Sequence, residues 1–324
     1  MTSEAEPRED AQAAQDHLEA ERAEGMPAPE AEAPSVADRP GIPEPGVPLS
    51  EPDEEGEDLH DHAARPAIGI DIGGTGIKGA VVDLETGELL SKRRKIDTPE
   101  GGTPEDILDA VIQLAEKLRH HKSVRGTTAP LGICLPSIVR GGVTRSAANI
   151  SPRWIGLDAA HFFGEALDQP VTIVNDADAA GLGEVRYGAA KGRKDSVLVT
   201  TLGTGIGSAL IYGGRLFPNA ELGHLDLPGH PDYEKYASAK VRERERLSFE
   251  AWGDRLTAYY RKLEALFSPD LFVLSGGISK QAEDFLHCID IETPIVPAVL
   301  RNNAGIVGTA ALAADELEDG VARR

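Results

Sequence analysis

Residues 68–83 read IGIDIGGTGIKGAVVD, and within them Gly74-Thr75-Gly76-Ile77-Lys78-Gly79 spells a literal G-x-G-x-x-G. That spacing marks a dinucleotide site only when a strand enters the turn and a helix leaves it, because the pyrophosphate must sit on a helix N-terminus. Here the strand AIGIDIGG is followed by KGAVVDLETG, a second run of strand-forming residues that ends at Glu85-Thr86-Gly87. The stretch therefore predicts a β-hairpin tipped by glycines, with LLSKRRKI as a third strand. A tight hairpin turn is the plain reading of such a loop on its own.

Residues 198–211, LVTTLGTGIGSALI, repeat the form: apolar strand, Gly-Thr-Gly, apolar strand. The chain is thus expected to hold a duplicated unit. Two such turns facing one cleft would offer backbone N–H groups to phosphate oxygens from both sides. A third glycine element, LFVLSGGIS at 271–279, is a buried strand running into Gly276-Gly277, with KQAEDFLHCI expected as a helix. PEDILDAVIQLAEKLRHH predicts an amphipathic helix started by Thr103-Pro104-Glu105. APLGICLP and QPVTIVND are further buried strands, and AGIVGTAALAADEL a closing helix. No G-x-x-x-x-G-K-[ST] occurs, which argues against a P-loop nucleotide site.

Composition divides the chain. The formal charge is −21, but residues 1–65 hold 19 acidic and 4 basic residues, and the rest is only about −6. That first segment also carries 9 of the 22 prolines and has no aromatic residue. It buries too little apolar surface to offset its ordering entropy, so it is expected to be a disordered tail. Cys134 and Cys288 stand apart and outside any C-x-x-C, which fits a reducing cytoplasm. No apolar run is long enough to span a membrane.

Taken in order, DIGGTGIKGAVVD, VNDADAAGLGE (174–184), TLGTGIGS (201–208), ELGHLDL (221–227), YEKYAS (233–238) and SGGIS (275–279) resemble the ROK family of sugar kinases and repressors, over essentially all of 66–320. Many members follow Gly-His with a cysteine cluster for structural zinc. GHLDLPGHPDYEKYAS has no cysteine, so no zinc is expected, and this short version is most similar to the polyphosphate glucokinase subgroup of actinobacteria. The resemblance implies an α/β, actin-like ATPase (ribonuclease H-like) fold of two similar domains with an interdomain cleft. Its domains would be 66–182, joined by a C-terminal helix at 303–320, and 183–302.

It also implies phosphorylation of glucose to glucose 6-phosphate with Mg²⁺ and with polyphosphate or ATP as donor, in a cytoplasmic homodimer. Phosphoryl transfer needs the anionic donor held and the acceptor hydroxyl aimed in line. Gly73, Gly74, Thr75, Lys78, Thr204, Gly205, Gly276 and Gly277 are the donor-site candidates, with Asp71 placed to orient a hydrated Mg²⁺. Asp176 follows a buried strand at the head of a helix. From the residues alone it is either an N-cap beside Asn175 or a base, and the family motif makes it the base. Asn149, Asn175, Glu221, His224 and Glu234, with Asp176, are the implied sugar ligands, although singly His224 and Glu234 also read as structural and surface residues. Glu184 reads as helix support.

Polyphosphate would call for a basic track. Lys92-Arg93-Arg94-Lys95, Lys191-Gly192-Arg193-Lys194 and the 240–246 run are candidates, and the last reads equally as an ion-paired helix face. A kinase for mannose or fructose using ATP alone is the near alternative. A sugar-sensing repressor would carry a basic helix-turn-helix ahead of the fold, where this chain is acidic and proline-rich, so no nucleic-acid partner is expected.

Overall fold

The computed structural model describes residues 64–322, with side chains to residue 319. The expectation of a disordered tail lies almost wholly outside the described residues. Strand β1 (Pro66–Gly73) is apolar at nearly every position and mostly buried, as a central strand must be. It turns through Gly74-Thr75 into antiparallel β2 (Gly76–Asp83), with Gly73 opposite Gly76 and Asp71 opposite Lys78. The G-x-G-x-x-G is therefore spread over a hairpin, and no helix follows it.

β3 (Arg94–Ile96) pairs with β2 and is shorter than the strand expected from residue 89. The Ser91 hydroxyl takes the Val81 N–H at 2.9 Å, a bond a neighbouring backbone carbonyl would otherwise make, and only Leu89 forms a bridge to Val82. β4 (Leu131–Leu135) and β7 (Thr172–Asn175) then add in parallel, giving the order β3-β2-β1-β4-β7. Between them, β5 (Val139–Arg140) and β6 (Val143–Thr144) form a small separate hairpin.

The second sheet repeats the pattern. β8 (Ser196–Leu202) and β9 (Ile206–Tyr212) make the second glycine hairpin, β10 (Arg215–Phe217) extends it, and β11 (Leu271–Ser275) and β12 (Ile295–Pro297) add in parallel, in the order β10-β9-β8-β11-β12. In both sheets the glycine turn lies beyond one end of the central strand, beside the C-terminal ends of the parallel strands.

Helix α1 (Pro104–Arg119) starts where the sequence predicts. The Thr103 hydroxyl caps the Asp106 N–H at 3.3 Å, Pro104 opens the helix and acidic residues fill its first turn. Its Ile107, Val111, Leu114 and Leu118 pack with Ile68, Ile70 and Ile72 of β1 and with Phe163 of α2 (Ala159–Leu167). The second sheet packs on α6 (Phe249–Phe267), through Trp252, Leu256, Tyr259 and Tyr260. Short helices α4 (Glu234–Ala237) and α5 (Ala239–Glu245) precede it. The helix expected over 280–289 is broken: a 3-10 turn at Gly277–Gln281, α7 (Ala282–Phe285) and another 3-10 turn. Phe285 is fully buried against Trp252 and Phe249, and that anchoring bends the segment onto α6.

Two helices lie together against the sheets, α3 (Asp176–Tyr187) and α8 (Ala304–Ala322). Residues 177–185 of α3 are all buried, which explains a helix rich in Ala and Gly with no solvent-facing side over that stretch. A Cβ on Gly308 would overlap the Ala179 carbonyl, and one on Gly183 would come within 2.6 Å of the Ala304 carbonyl. On its other side Gly181 meets Ala209 of β9. α8 lies equally close to the first sheet, Gly69 under the Ile306 carbonyl and Gly132 under that of Thr309. Glu184, fully buried on α3, accepts the N–H groups of Ala189, Val299 and Leu300 at 2.8–3.0 Å, so it supports the helix end and also fixes the chain ahead of α8. Among the described residues no helix is long and apolar enough to cross a membrane.

Candidate active site

The C-terminal ends of the strands of both sheets converge on a cavity of about 680 Å³. Its walls include Gly73 and Gly74 from the first hairpin, Thr204 and Gly205 from the second, and Gly276 from the third glycine element. Asn149, Asn175, Asp176, Glu221, His224 and Glu234 complete it. Eleven of the residues singled out from sequence thus share one space. Thr75 sits exposed at the hairpin tip and Gly277 is exposed, and neither is on the wall. Asp71 and Lys78 lie just behind the first turn.

Asp176 stands where β7 becomes α3. The cap of that helix is Asn175, whose side-chain oxygen accepts the N–H groups of Ala177 and Asp178 at 2.8 and 3.1 Å, while its amide donates to the Ser137 carbonyl at 3.2 Å. Asn175 is 7% exposed and keeps one amide N–H for a ligand. Because Asn175 does the capping, the Asp176 carboxylate faces the cavity with one bond, from Ala177 N–H to Oδ1 at 2.9 Å. Its pKa is pushed up to about 6, first by removal from water and then by the neighbouring charges of Asp71 and Glu221.

Asp71 is also raised by burial, against the pull of Lys78, whose amine lies 3.5 Å from Oδ2. The Cys134 thiol lies 3.7 Å from its other oxygen. Two carboxylates, one cation and a glycine turn therefore meet at the head of β1. Hard oxygen donors of this kind suit a hydrated divalent ion shared with phosphate oxygens.

The opposite wall is built on backbone contacts. Gly223 packs beneath the Ile206 carbonyl, which sets the short turn Leu222–His224 onto β9. Glu234 accepts the Ile206 N–H at 3.0 Å and lies against Gly205, so one carboxylate braces the second glycine turn while its other oxygen stays available. Gly74 faces Asn149, where a Cβ would meet the Asn149 Cβ at 2.9 Å. Asn149 itself has φ 59°, a left-handed conformation that asparagine tolerates.

His224 carries a partner that sequence reading missed. Its Nδ1 lies 2.7 Å from Asp232 Oδ1, and Lys235 binds the other oxygen of Asp232 at 2.5 Å. The imidazole pKa is raised, chiefly by that hydrogen bond, and Asp232 is held low by Lys235 and His224 despite partial burial. Glu221 is raised by burial, with His224 opposing and Glu234 adding to the effect. His224, Asp232 and Glu234 bring ligand atoms within 4.8 Å of one another, and the Lys235 ammonium already supplies the positive charge there. Nothing in the spacing of residues 224 and 232 marks the pair, because the turn between them, with Asp232 at φ 58° and its N–H on Asp226 Oδ1 at 2.9 Å, creates it.

The family model described as "ROK family" matches residues 67–238. The chain belongs to the ROK family. Among curated relatives of this ROK protein, a polyphosphate glucokinase of Mycobacterium tuberculosis (strain CDC 1551 / Oshkosh) is 43% identical over 76% of this chain and 90% of its own. Among solved structures, the inorganic polyphosphate/ATP-glucomannokinase of Arthrobacter sp. strain KM is 50% identical with a TM-score of 0.74, covering 78% of this chain and 99% of that one. A ROK family glucokinase from Streptomyces griseus, solved with glucose and AMPPNP, is 28% identical with a TM-score of 0.65, covering 77% and 99%. Its α/β architecture of mixed sheets is thus that of ROK sugar kinases.

Proposed function

We propose that this ROK protein is a glucokinase that transfers a phosphoryl group from inorganic polyphosphate or ATP to the 6-hydroxyl of glucose. The observation that carries the mechanism is Asp176: a half-buried carboxylate between two glycine turns, freed from capping by Asn175 and raised to about 6. At neutral pH it is ionised yet basic enough to take a hydroxyl proton. The 6-oxygen attacks the terminal phosphorus, the bond to the bridging oxygen breaks, and the proton passes to Asp176. The products are glucose 6-phosphate and either ADP or a chain one phosphate shorter.

In this reading the sugar is oriented by Asn149, Asn175, Glu221, His224 and Glu234. The donor rests on the N–H groups at Gly73, Gly74, Thr204, Gly205 and Gly276, with Lys78 lending positive charge. Thr75 and Gly277, exposed beside the turns, would touch only the outer end of a donor. Mg²⁺ would be held by Asp71, through water, and when bound would neutralise charge on the transferring group. Lys235 and Asp232 set His224 with no zinc.

We further assign an actin-like arrangement of two similar domains, about 66–182 with 303–320, and 183–302, with α3 running through the first boundary and the cavity as the cleft between them. A cytoplasmic homodimer is part of the same reading. Mannose is a second acceptor to consider, since the Arthrobacter relative is described as a glucomannokinase.

The test is glucose 6-phosphate formation with Mg²⁺ by wild type and Asp176→Asn, with long-chain polyphosphate and with ATP. Wild-type turnover with both donors and a loss of about a hundredfold or more in the variant are expected. Product formation by the variant at the wild-type rate would overturn the base assignment.

A further inference from the structure

The geometry points to a second part of the donor site: a groove beside the first hairpin, lined by Arg93, Lys280 and Arg301, that holds the polyphosphate chain where it leaves the glycine turns. This rests on the polyphosphate reading above and adds the path the polymer takes.

Three basic runs were open from sequence, and the fold separates them. In the 240–246 run, Arg242 lies over the Phe249 ring at 3.8 Å, while Arg244 and Arg255 both bind Glu245 at 2.8–2.9 Å. Two of its four cations, Arg242 and Arg244, are thus engaged in packing and an ion pair, while Lys240 and Arg246 are exposed and enter no ion pair among the described residues. The 191–194 run precedes β8, and its first residue Ser196 pairs with Tyr212, at the end of the sheet away from the Gly203–Gly205 turn. Seven residues of strand, about 20 Å, separate the two ends.

The 92–95 run is different. Lys95 lies directly opposite Lys78 across the β2–β3 pair, next to the first glycine turn. Arg93 reaches from this edge to the segment ahead of α8, donating to the Asn302 carbonyl at 3.2 Å and to Asn303 Oδ1 at 3.1 Å. Its charge is near enough to Asp71 to oppose the rise in that carboxyl's pKa.

Beside this bridge lies a groove of about 770 Å³, with Arg93, Lys280 and Arg301 on its walls and Glu283 as its acidic member. Lys280 and Arg301 are exposed and enter none of the ion pairs found among the described residues. The groove adjoins the donor turns: Ser279 on its wall binds the Gly276 carbonyl through its N–H and hydroxyl at 3.1 and 2.8 Å, and Gly276 lines the main cavity. On the other side, Gly305 abuts Asp71.

Polyphosphate carries about one negative charge on every internal phosphate, so each cation along an exit path meets a charge. A nucleotide ends in an uncharged nucleoside, and three cations give it little. A groove with three cations and one acid therefore fits a polyanion longer than a triphosphate.

The experiment compares kcat/KM of wild type, Lys280→Ala/Arg301→Ala and the charge reversal Arg301→Glu with three donors: polyphosphate of about a hundred units, tripolyphosphate and ATP. A fall of about tenfold or more with the long chain, within about twofold for the two short donors, is the expected result. The long-chain KM should also lose part of its salt dependence, whereas Lys191→Ala should behave as wild type. Unchanged long-chain kinetics in both variants, or an equal fall for all three donors, would overturn the track. A wild type that uses ATP but no polyphosphate would instead overturn the donor reading, and the track with it.

Discussion

His224 and Asp232 form a charge-assisted pair, Nδ1 to Oδ1 at 2.7 Å, in a turn where Asp232 is in turn held by Lys235 and by Asp226. The carboxylate fixes which way the ring faces and, by accepting from Nδ1–H, holds that proton on Nδ1 and leaves Nε2 free. Asp232→Asn keeps the size and loses the charge, so the imidazole pKa should fall. The raised pKa stabilises the folded chain below about 6.5, and that contribution disappears as pH rises through the folded value. Steady-state kinetics should show KM for glucose rising about fivefold with kcat nearly constant, the pattern of lost uniform binding. A loss in kcat with unchanged KM would contradict a role in holding the sugar.

The rise in the Asp176 pKa is due partly to the negative charge of Asp71. With Asp176 as the proposed base, which must be ionised to act, kcat/KM should climb with pH through about 6 and then level off. Asp71→Asn removes one of the raising charges, and the acid limb should move to lower pH even as the rate falls. A limb that stays in place in the variant would mean that another group controls it.

Asp178 is a different case. It is fully buried on α3, one oxygen accepts the Asn219 N–H at 2.7 Å, and the other has no partner among the described residues. Burial is the main reason its pKa rises to about 7. The folded chain therefore binds more protons than the unfolded chain between about pH 4 and 7, and stability falls as pH rises through that window. Asp178→Asn should gain on wild type across it by a few kcal/mol, at about 1.4 kcal/mol per pKa unit. Urea unfolding at pH 5, 6, 7 and 8 measures this, and a constant difference between the two proteins would refute it.

Much of this was legible because the signals are local. The glycine hairpins are visible since a strand pattern resumes directly after Gly76 and again after Gly205, and α1 is visible from its cap and period. Other features depend on contacts that no short window contains. The break in the 280–289 segment follows from Phe285 docking on α6, and β3 is short because Ser91 takes a backbone bond. Asn175 and Asp176 could not be separated from sequence, as either residue caps a helix; the structure gives that task to Asn175. Asp232 was invisible because a turn, not a motif, brings it to His224. Which basic run lies beside the first glycine turn was likewise undecidable until the ladder placed Lys95 beside Lys78.

The contacts of α8 bear on how the chain folds during synthesis. Gly69 and Gly132, in strands made early, are covered by carbonyls of Ile306 and Thr309, which are synthesised long after them. Until then the first sheet has one apolar face uncovered, with Ala67, Ala80 and Val82 awaiting Ile306, Val307 and Ala310. The first sheet is thus committed to waiting for α8, and chains truncated before residue 304 should be clients of chaperones and not half-active kinases.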